Sequence, residues 1–296
     1  MARTYAAHPG GEWGSRTTAE RVDPRGVCPQ PVIHRDNVTG IDREVTLRVL
    51  TAALVLTLLF LASAFGDDTE QLTLRIGIAP DYPPFSHIDD EGQFNGFDVD
   101  IALALCARLE ATCAFVRQDW EELIPGLRNG KFDAIVSSMS ITEKRRQLVS
   151  FTDRYYSNVV RFVTRKDSGF DPEAPTGRTI GASRATVSSD WLEANLSGIA
   201  DIRLFTDSGA PLQALVEGRV DAVLGDGLGF WDWLQSPQGA EFEFAGDGYR
   251  LDEGIGIAVR KDDDTLRLRL NQAIGEILAD GTYQTINARY FPFSIY

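Results

Sequence analysis

From Leu72 onward, short apolar runs alternate with amphipathic stretches, the pattern of strands and helices in an α/β fold. Leu72 to Ile78 reads as a strand, followed by the stiff loop Ala79-Pro-Asp-Tyr-Pro-Pro-Phe85 and a hairpin turn at Asp89-Asp-Glu-Gly92. Asp98 is the expected N-cap of a helix reaching Glu110, with Ile101, Leu105 and Leu109 at core spacing. Next come a strand at Ala114 to Arg117, a helix from Trp120 to about Gly130, and a strand at Phe132 to Val136. Ser157 to Arg165 reads as a strand and Asp167 to Thr176 as a Pro/Gly/Asp loop. A second set follows: strand Thr179 to Ala182, helix Val187 to Asn195, strand Asp201 to Phe205, helix Ala210 to Glu217 and strand Val220 to Leu224. The last expected elements are a strand at Ile257 to Arg260, a helix from Asp262 to Asp280 with Leu266, Leu270, Ile274 and Leu278 on one stripe, and a helix from Tyr283 to Tyr290.

One decapeptide recurs. Leu127 to Val136 reads L-R-N-G-K-F-D-A-I-V, and 88 residues further on Leu215 to Leu224 reads L-V-E-G-R-V-D-A-V-L. Each is a helix end closed by glycine and followed by a buried strand. A single repeat of this kind predicts two similar α/β lobes rather than a solenoid. The strands run out into Ser137-Ser138 and Gly225-Asp226, and ligands of open α/β sheets sit beyond such carboxyl ends. After the first strand, Ser137, Ser138 and Ser140 precede a helix opening at Thr142 with Arg145 in its first turn. Hydroxyls, free backbone N–H groups and a guanidinium gathered there suit a carboxylate. The same residues would also make a plain polar loop with a solvated arginine or a surface pair to Glu143 or Asp153. With Asp226 on the other lobe, the two charges of a zwitterion could both be met.

Val49 to Phe65 is uncharged and mostly apolar, follows Arg48 and contains Ala62-Ser63-Ala64. These are the parts of a secretory signal peptide, expected at 45–64 and cleaved after Ala64, with a retained signal anchor as the alternative. Residues 1–44 are polar and aperiodic and read as a disordered leader; translation from Val45 would leave them out. The net charge of −14 with few lysines argues against nucleic acid as a partner. Cys106 and Cys113 sit seven residues apart across an expected helix–strand turn, which can bring the sulfurs together in an oxidising compartment. Three scattered histidines (His8, His34, His87) give no clustered metal-ligand set, and no cofactor is expected.

Several phrases carry a resemblance: Tyr82-Pro-Pro-Phe85, Gly96-Phe-Asp-Val-Asp100, Leu123-Ile-Pro125, Asp133-Ala134, Ser140-Ile-Thr-Glu-Lys-Arg145, Phe151-Thr-Asp153, Gly218-Arg219, Asp221-Ala222 and Asp280-Gly-Thr-Tyr283. In this order and spacing, the chain from about Leu74 to Tyr296 resembles the polar amino-acid-binding proteins of bacterial ABC importers, the family 3 extracellular solute-binding proteins that include lysine/arginine/ornithine, histidine and arginine binders. The resemblance implies a two-lobe type II periplasmic binding protein, a Venus flytrap with two connecting strands. Lobe 1 is expected at 70–158 and 251–296, and lobe 2 at 159–250. It implies a carboxylate-binding Arg145 beside Ser137, Ser138 and Ser140, an ammonium-accepting Asp226, aromatic walls at Tyr82 and Trp120, a carboxylate-holding hydroxyl at Thr186, and the Cys106–Cys113 disulfide.

Two positions depart from the family pattern. The second-lobe loop carries Ala185 where glycine is usual, and Ala79 stands where lysine/arginine/ornithine binders have an acid; Asp81 and Asp119 lie nearby without matching it. Arg184 would either enter the cleft or be solvated, and Trp191, Trp231 and Trp233 are expected to be packing residues. The function implied is capture of a polar L-amino acid in the periplasm by a monomer that delivers it to an inner-membrane ABC permease. The alternatives are a cyclohexadienyl-dehydratase-like enzyme on the same fold and a membrane-anchored sensor. No poised acid–base pair is evident, so a non-enzyme is expected.

Overall fold

The computed structural model describes residues 72–296 and Arg48. The expected leader and signal segment, Arg48 aside, lie outside the described residues, and among these no helix is long and apolar enough to cross a membrane. In chain order the first elements are β1 (Thr73–Ile78), the small ribbon β2 (Asp81–Tyr82), β3 (Ser86–Ile88) and β4 (Phe94–Asn95), α1 (Phe97–Arg108), and β5 (Thr112–Arg117). After a short 3₁₀ turn at Trp120–Glu122 come α2 (Leu123–Arg128), β6 (Ala134–Ile135), α3 (Glu143–Arg146) and β7 (Ser150–Tyr156). The next block is β8 (Val160–Arg165), β9 (Thr179–Ser183), α4 (Val187–Leu196), β10 (Asp201–Phe205), α5 (Ala210–Val216), β11 (Ala222–Asp226), α6 (Gly227–Leu234) and β12 (Phe242–Tyr249). The chain ends with β13 (Ile255–Val259), α7 (Asp264–Ala279) and α8 (Thr282–Tyr290).

These strands form two five-stranded sheets of the same design, ordered β5-β1-β6-β13-β7 and β10-β9-β11-β8-β12. In each, three strands run parallel and two join antiparallel. The repeated decapeptide ends in equivalent central strands: Ala134 pairs with Ile76 in one sheet, and Ala222 with Ile180 in the other. Its aspartates explain themselves. Asp133 accepts from Arg75 N at 3.1 Å and Asp221 from Thr179 N at 2.7 Å, so each carboxylate ties the start of its strand to the neighbouring one. The mixed α/β, two-lobe architecture expected from the repeat is therefore present.

Helices cover both faces of each sheet, as parallel strands require. In the first lobe Ile76, Val136 and Ile257 pack with Phe97, Ile101, Leu105, Leu270 and Ile274 of α1 and α7. Ile135 and Ala258 face Leu123 and Leu127 of α2. In the second lobe Phe162, Ala222 and Leu224 meet Leu192 of α4, while Val163 and Val223 meet Leu215 and Phe230. Gly77 in β1 has no room for a side chain, since a Cβ there would lie 2.4 Å from the Phe132 ring. Cys106 of α1 and Cys113 of β5 are joined in the expected disulfide.

The chain passes between the sheets twice, at 157–159 and 250–254. Sequence reading placed the first of these inside a strand from Ser157; the strand begins at Val160. It also missed β7 and β12, whose irregular burial hides the period of two. Asp98 is not an N-cap. Gly96 holds that position, and Asp98 lies within the first turn, fully buried, because its carboxylate serves distant partners. The stripe on α7 is set one step from expectation: Leu270 and Ile274 are buried with Ala273 and Ile277, whereas Leu266 and Leu278 lie at its margin.

Candidate functional site

The loop after β6 is built by its hydroxyls. Ser137 is buried and its Oγ accepts from Ala79 N at 3.1 Å, holding the loop after β1. Ser138 adopts a left-handed backbone (φ 50°) and donates to Asp98 Oδ2 at 2.8 Å. Thr142 caps α3, accepting from Arg145 N at 3.2 Å, and this turn fixes where the arginine emerges. The Arg145 guanidinium returns to the loop, with Nη1 donating to the Ser140 carbonyl at 3.0 Å. Among the described residues no carboxylate lies within ion-pair distance of it, so the surface pairs to Glu143 or Asp153 are not formed. Desolvation lowers its pKa to about 10, which leaves it charged at neutral pH.

Arg145 and Trp120 meet the second lobe at one atom. The Ala185 carbonyl accepts from Arg145 Nη2 at 3.2 Å and from Trp120 Nε1 at 3.1 Å, and the guanidinium carbon lies 5.2 Å from the Trp120 ring centroid. Ala185 reaches this position in the left-handed region (φ 57°), the conformation that glycine would adopt without strain. Thr186 follows as N-cap of α4 in a capping box with Ser189. Its hydroxyl proton goes to the Ser183 carbonyl at 2.8 Å, so Thr186 is engaged in shaping the loop. Further contacts join the lobes: Lys144 Nζ to Asp190 at 2.9 Å, Arg184 to Glu121 at 3.9 Å, and Ser208 Oγ to the Asp81 carbonyl. Arg184 stays at the exposed rim.

The opposite charge stands at the end of β11. Asp226 caps α6, accepting from Leu228 N at 2.9 Å and Gly229 N at 3.3 Å. Desolvation raises its pKa to about 6, with the Tyr82 hydroxyl and those two N–H groups opposing the rise. The Tyr82 oxygen lies near Gly229, where a Cβ would come within 3.1 Å of it. The Tyr82 ring stacks on Phe85, and Phe85 on Tyr156. Burial pushes the Tyr82 hydroxyl well above the ordinary tyrosine range. Among the described residues no cation pairs with Asp226.

Sequence reasoning missed two contributors. Asp98, read as a helix cap, is a fully buried carboxyl that accepts from Ser138 at 2.8 Å and Tyr155 at 2.7 Å, and desolvation lifts its pKa to about 7. A polar residue on the inward face of an amphipathic helix was the available signal. The Ala185 carbonyl was legible only as a doubtful glycine position. Trp191 packs on Phe162 and Tyr249, Trp231 on Phe291 and Phe293, and Trp233 on Phe242, as expected of packing residues. Among the described residues no cluster of three or more His, Cys, Asp or Glu could hold a metal ion.

The chain as a whole is similar to known proteins. A model of bacterial extracellular solute-binding proteins, family 3, matches residues 74–293. The L-arginine-binding protein of Pseudomonas aeruginosa is 38% identical over 256 residues, covering 83% of this chain and 97% of that protein. The lysine/arginine/ornithine-binding periplasmic protein of Escherichia coli K12 is 34% identical, covering 84% and 98%. An ancestral arginine-binding protein bound to arginine superimposes with a TM-score of 0.70 at 32% identity, covering 74% of this chain and 98% of that one. The chain thus belongs to the family 3 bacterial extracellular solute-binding proteins.

Proposed function

We propose that this protein is the periplasmic, monomeric binding component of an ABC importer, capturing a polar L-amino acid between its lobes and delivering it to an inner-membrane permease. Residues 70–158 with 251–296 act as one jaw and 159–250 as the other. The observation that carries this reading is a pair of isolated opposite charges. Arg145 on the first lobe and Asp226 on the second each lack a counter-ion among the described residues, and both are partly withdrawn from water. A zwitterion satisfies both at once: the α-carboxylate meets Arg145 and the Ser137, Ser138, Ser140 loop, and the α-ammonium meets Asp226. Thr186 shapes the facing loop. Each charge-assisted hydrogen bond contributes about 1.5–3 kcal/mol. Four or five, less ordering and closure costs, leave about 8 kcal/mol, or micromolar binding.

Arginine is our first choice of ligand, with neutral polar amino acids such as glutamine next. The relatives named above include arginine binders. A guanidinium could lie between Tyr82 and Trp120 and gain about 0.5–2 kcal/mol from the rings. A lysine or ornithine ammonium would find Ala79 at the position where an acid is needed. Asp81 is exposed and faces Arg117 at 3.9 Å, and Asp119 is exposed as well. The dehydratase alternative would require a near-neutral acid presented to substrate. Asp98 has the pKa, but both its oxygens are engaged by Ser138 and Tyr155. A thermal-shift screen of the twenty amino acids plus ornithine and citrulline tests the proposal, because a ligand of the native state raises the melting temperature. Arginine or glutamine should give the largest rise. A larger rise with lysine or ornithine would overturn the ranking, and no response to any amino acid would overturn the function.

A further inference from the structure

The second crossing, 250–254, runs beside the loop that leads to Arg145. Glu253 N donates to the Ile141 carbonyl at 3.2 Å, Ile141 N donates to the Gly254 carbonyl at 2.9 Å, and Ser140 bridges to Ile255. The Ser140 carbonyl in turn accepts from Arg145. Asp252 stands one residue before this pairing and is partly buried. Its Oδ1 accepts from Gly254 N at 2.9 Å and closes a tight turn. Its Oδ2 makes no hydrogen bond among the described residues and stays open to solvent. Nearby acids are already engaged: Glu253 pairs with Arg146 at 2.7 Å, Asp190 with Lys144 at 2.9 Å, and both oxygens of Asp98 accept from Ser138 and Tyr155. Among the described residues Asp252 has no such cation, so it joins Arg145 and Asp226 as a charge without a counter-ion. Its field reaches both of them. At Arg145 desolvation lowers the pKa and Asp252 opposes the shift; at Asp226 desolvation raises the pKa and Asp252 adds to the rise.

We propose that Asp252 is a specificity-determining residue that selects amino acids of net positive charge, an inference that rests on the amino-acid-binding function proposed above. A zwitterion with its carboxylate on Arg145 and its ammonium on Asp226 cancels those two charges and leaves Asp252 uncompensated. A cationic side chain supplies the missing charge, a neutral one leaves the balance as it was, and an acidic one adds a like charge. In a cleft partly withdrawn from water such forces act across several ångströms, so the selection needs no direct contact. Asp252 thus brings negative charge to the site from the second crossing, in a chain whose position 79 is alanine. The selection reads net charge: it favours arginine over its neutral isostere citrulline and disfavours glutamate, and it does not rank arginine against lysine.

The test is calorimetric titration at pH 7.5 with arginine, citrulline and glutamate, on the wild-type protein, Asp252→Asn and Asp252→Ser. Both replacements keep a side-chain oxygen for Gly254 N, so the turn survives in each. The wild-type protein should prefer arginine to citrulline. Each variant should cut that preference about tenfold, chiefly by weakening arginine, and should bind glutamate more tightly than the wild type does. A preference unchanged within about threefold in both variants would overturn the proposal. So would equal weakening of all three ligands, the result expected if Asp252 only shapes the crossing. A wild-type protein that binds no amino acid would instead overturn the function on which the proposal rests.

Discussion

Asp226 should make amino-acid binding pH-dependent in a defined direction. Its carboxyl titrates at about 6 because desolvation outweighs the help of Tyr82 and the first N–H groups of α6. An α-ammonium docked there favours the carboxylate, so binding lowers this pKa and expels a proton wherever Asp226 was protonated beforehand. At pH 5 about nine-tenths of the free protein carries that proton, and at pH 7 about one-tenth. Affinity should therefore be nearly flat from pH 8 to 7 and fall about tenfold between pH 7 and 5. Tyr82 stays neutral throughout, since its pKa is raised well above the ordinary value. Asp98 titrates nearby at about 7, so Asp98→Asn serves as the control that leaves the Asp226 step in place. Calorimetric titrations at pH 5, 6, 7 and 8, each in two buffers of different ionisation enthalpy, give affinity and proton release together. About half a proton should leave at pH 6 and almost none at pH 8. Affinity unchanged from pH 5 to 8, with no buffer dependence, would show that the ammonium is held elsewhere.

Arg145→Ala should weaken amino-acid binding by about 3–5 kcal/mol, a few hundredfold or more, because the ligand carboxylate is left without its main partner. The fold should survive, since the guanidinium's hydrogen bonds go only to two loop carbonyls, and calorimetry with a far-ultraviolet circular dichroism check reads both effects. Asp98 holds its proton up to about pH 7 when folded and only to about pH 4 when unfolded, so stability is greatest below that window and falls as pH rises through it. Asp98→Asn should flatten this fall in urea denaturation series at pH 5 and pH 8; an unaltered slope would assign it to another group. Ala185→Gly relieves a left-handed alanine and should stabilise by up to about 1 kcal/mol, seen as a higher denaturation midpoint with an unchanged slope.

The sequence was most readable where periodicity and repetition agree. The two decapeptides announced two like lobes because each ends in the central strand of its sheet, Ala134 and Ala222 at the same pairing position. Arg145 was legible because strand, serine cluster and helix start follow one another locally. Asp226 was legible only by comparison with the first copy. Residues whose role depends on distant partners were opaque. Asp98 looks like a local cap in sequence, yet its hydrogen bonds run to Ser138 and Tyr155, 40 and 57 residues away. Ala185 contributes a backbone carbonyl, which no side-chain pattern records, and the left-handed turn that aims it is visible only in three dimensions.

The central claim is that one cleft reads both charges of an amino acid, through Arg145 and Asp226. Calorimetric titration with L-arginine, its decarboxylated amine agmatine and Nα-acetyl-L-arginine at pH 7.5 tests it most directly, since each analogue removes one charge and keeps the guanidinium side chain. Arginine should bind at about micromolar affinity or tighter, and each analogue at least about a hundredfold more weakly. Either analogue binding within about threefold of arginine would show that the corresponding charge is not read, contradicting the account.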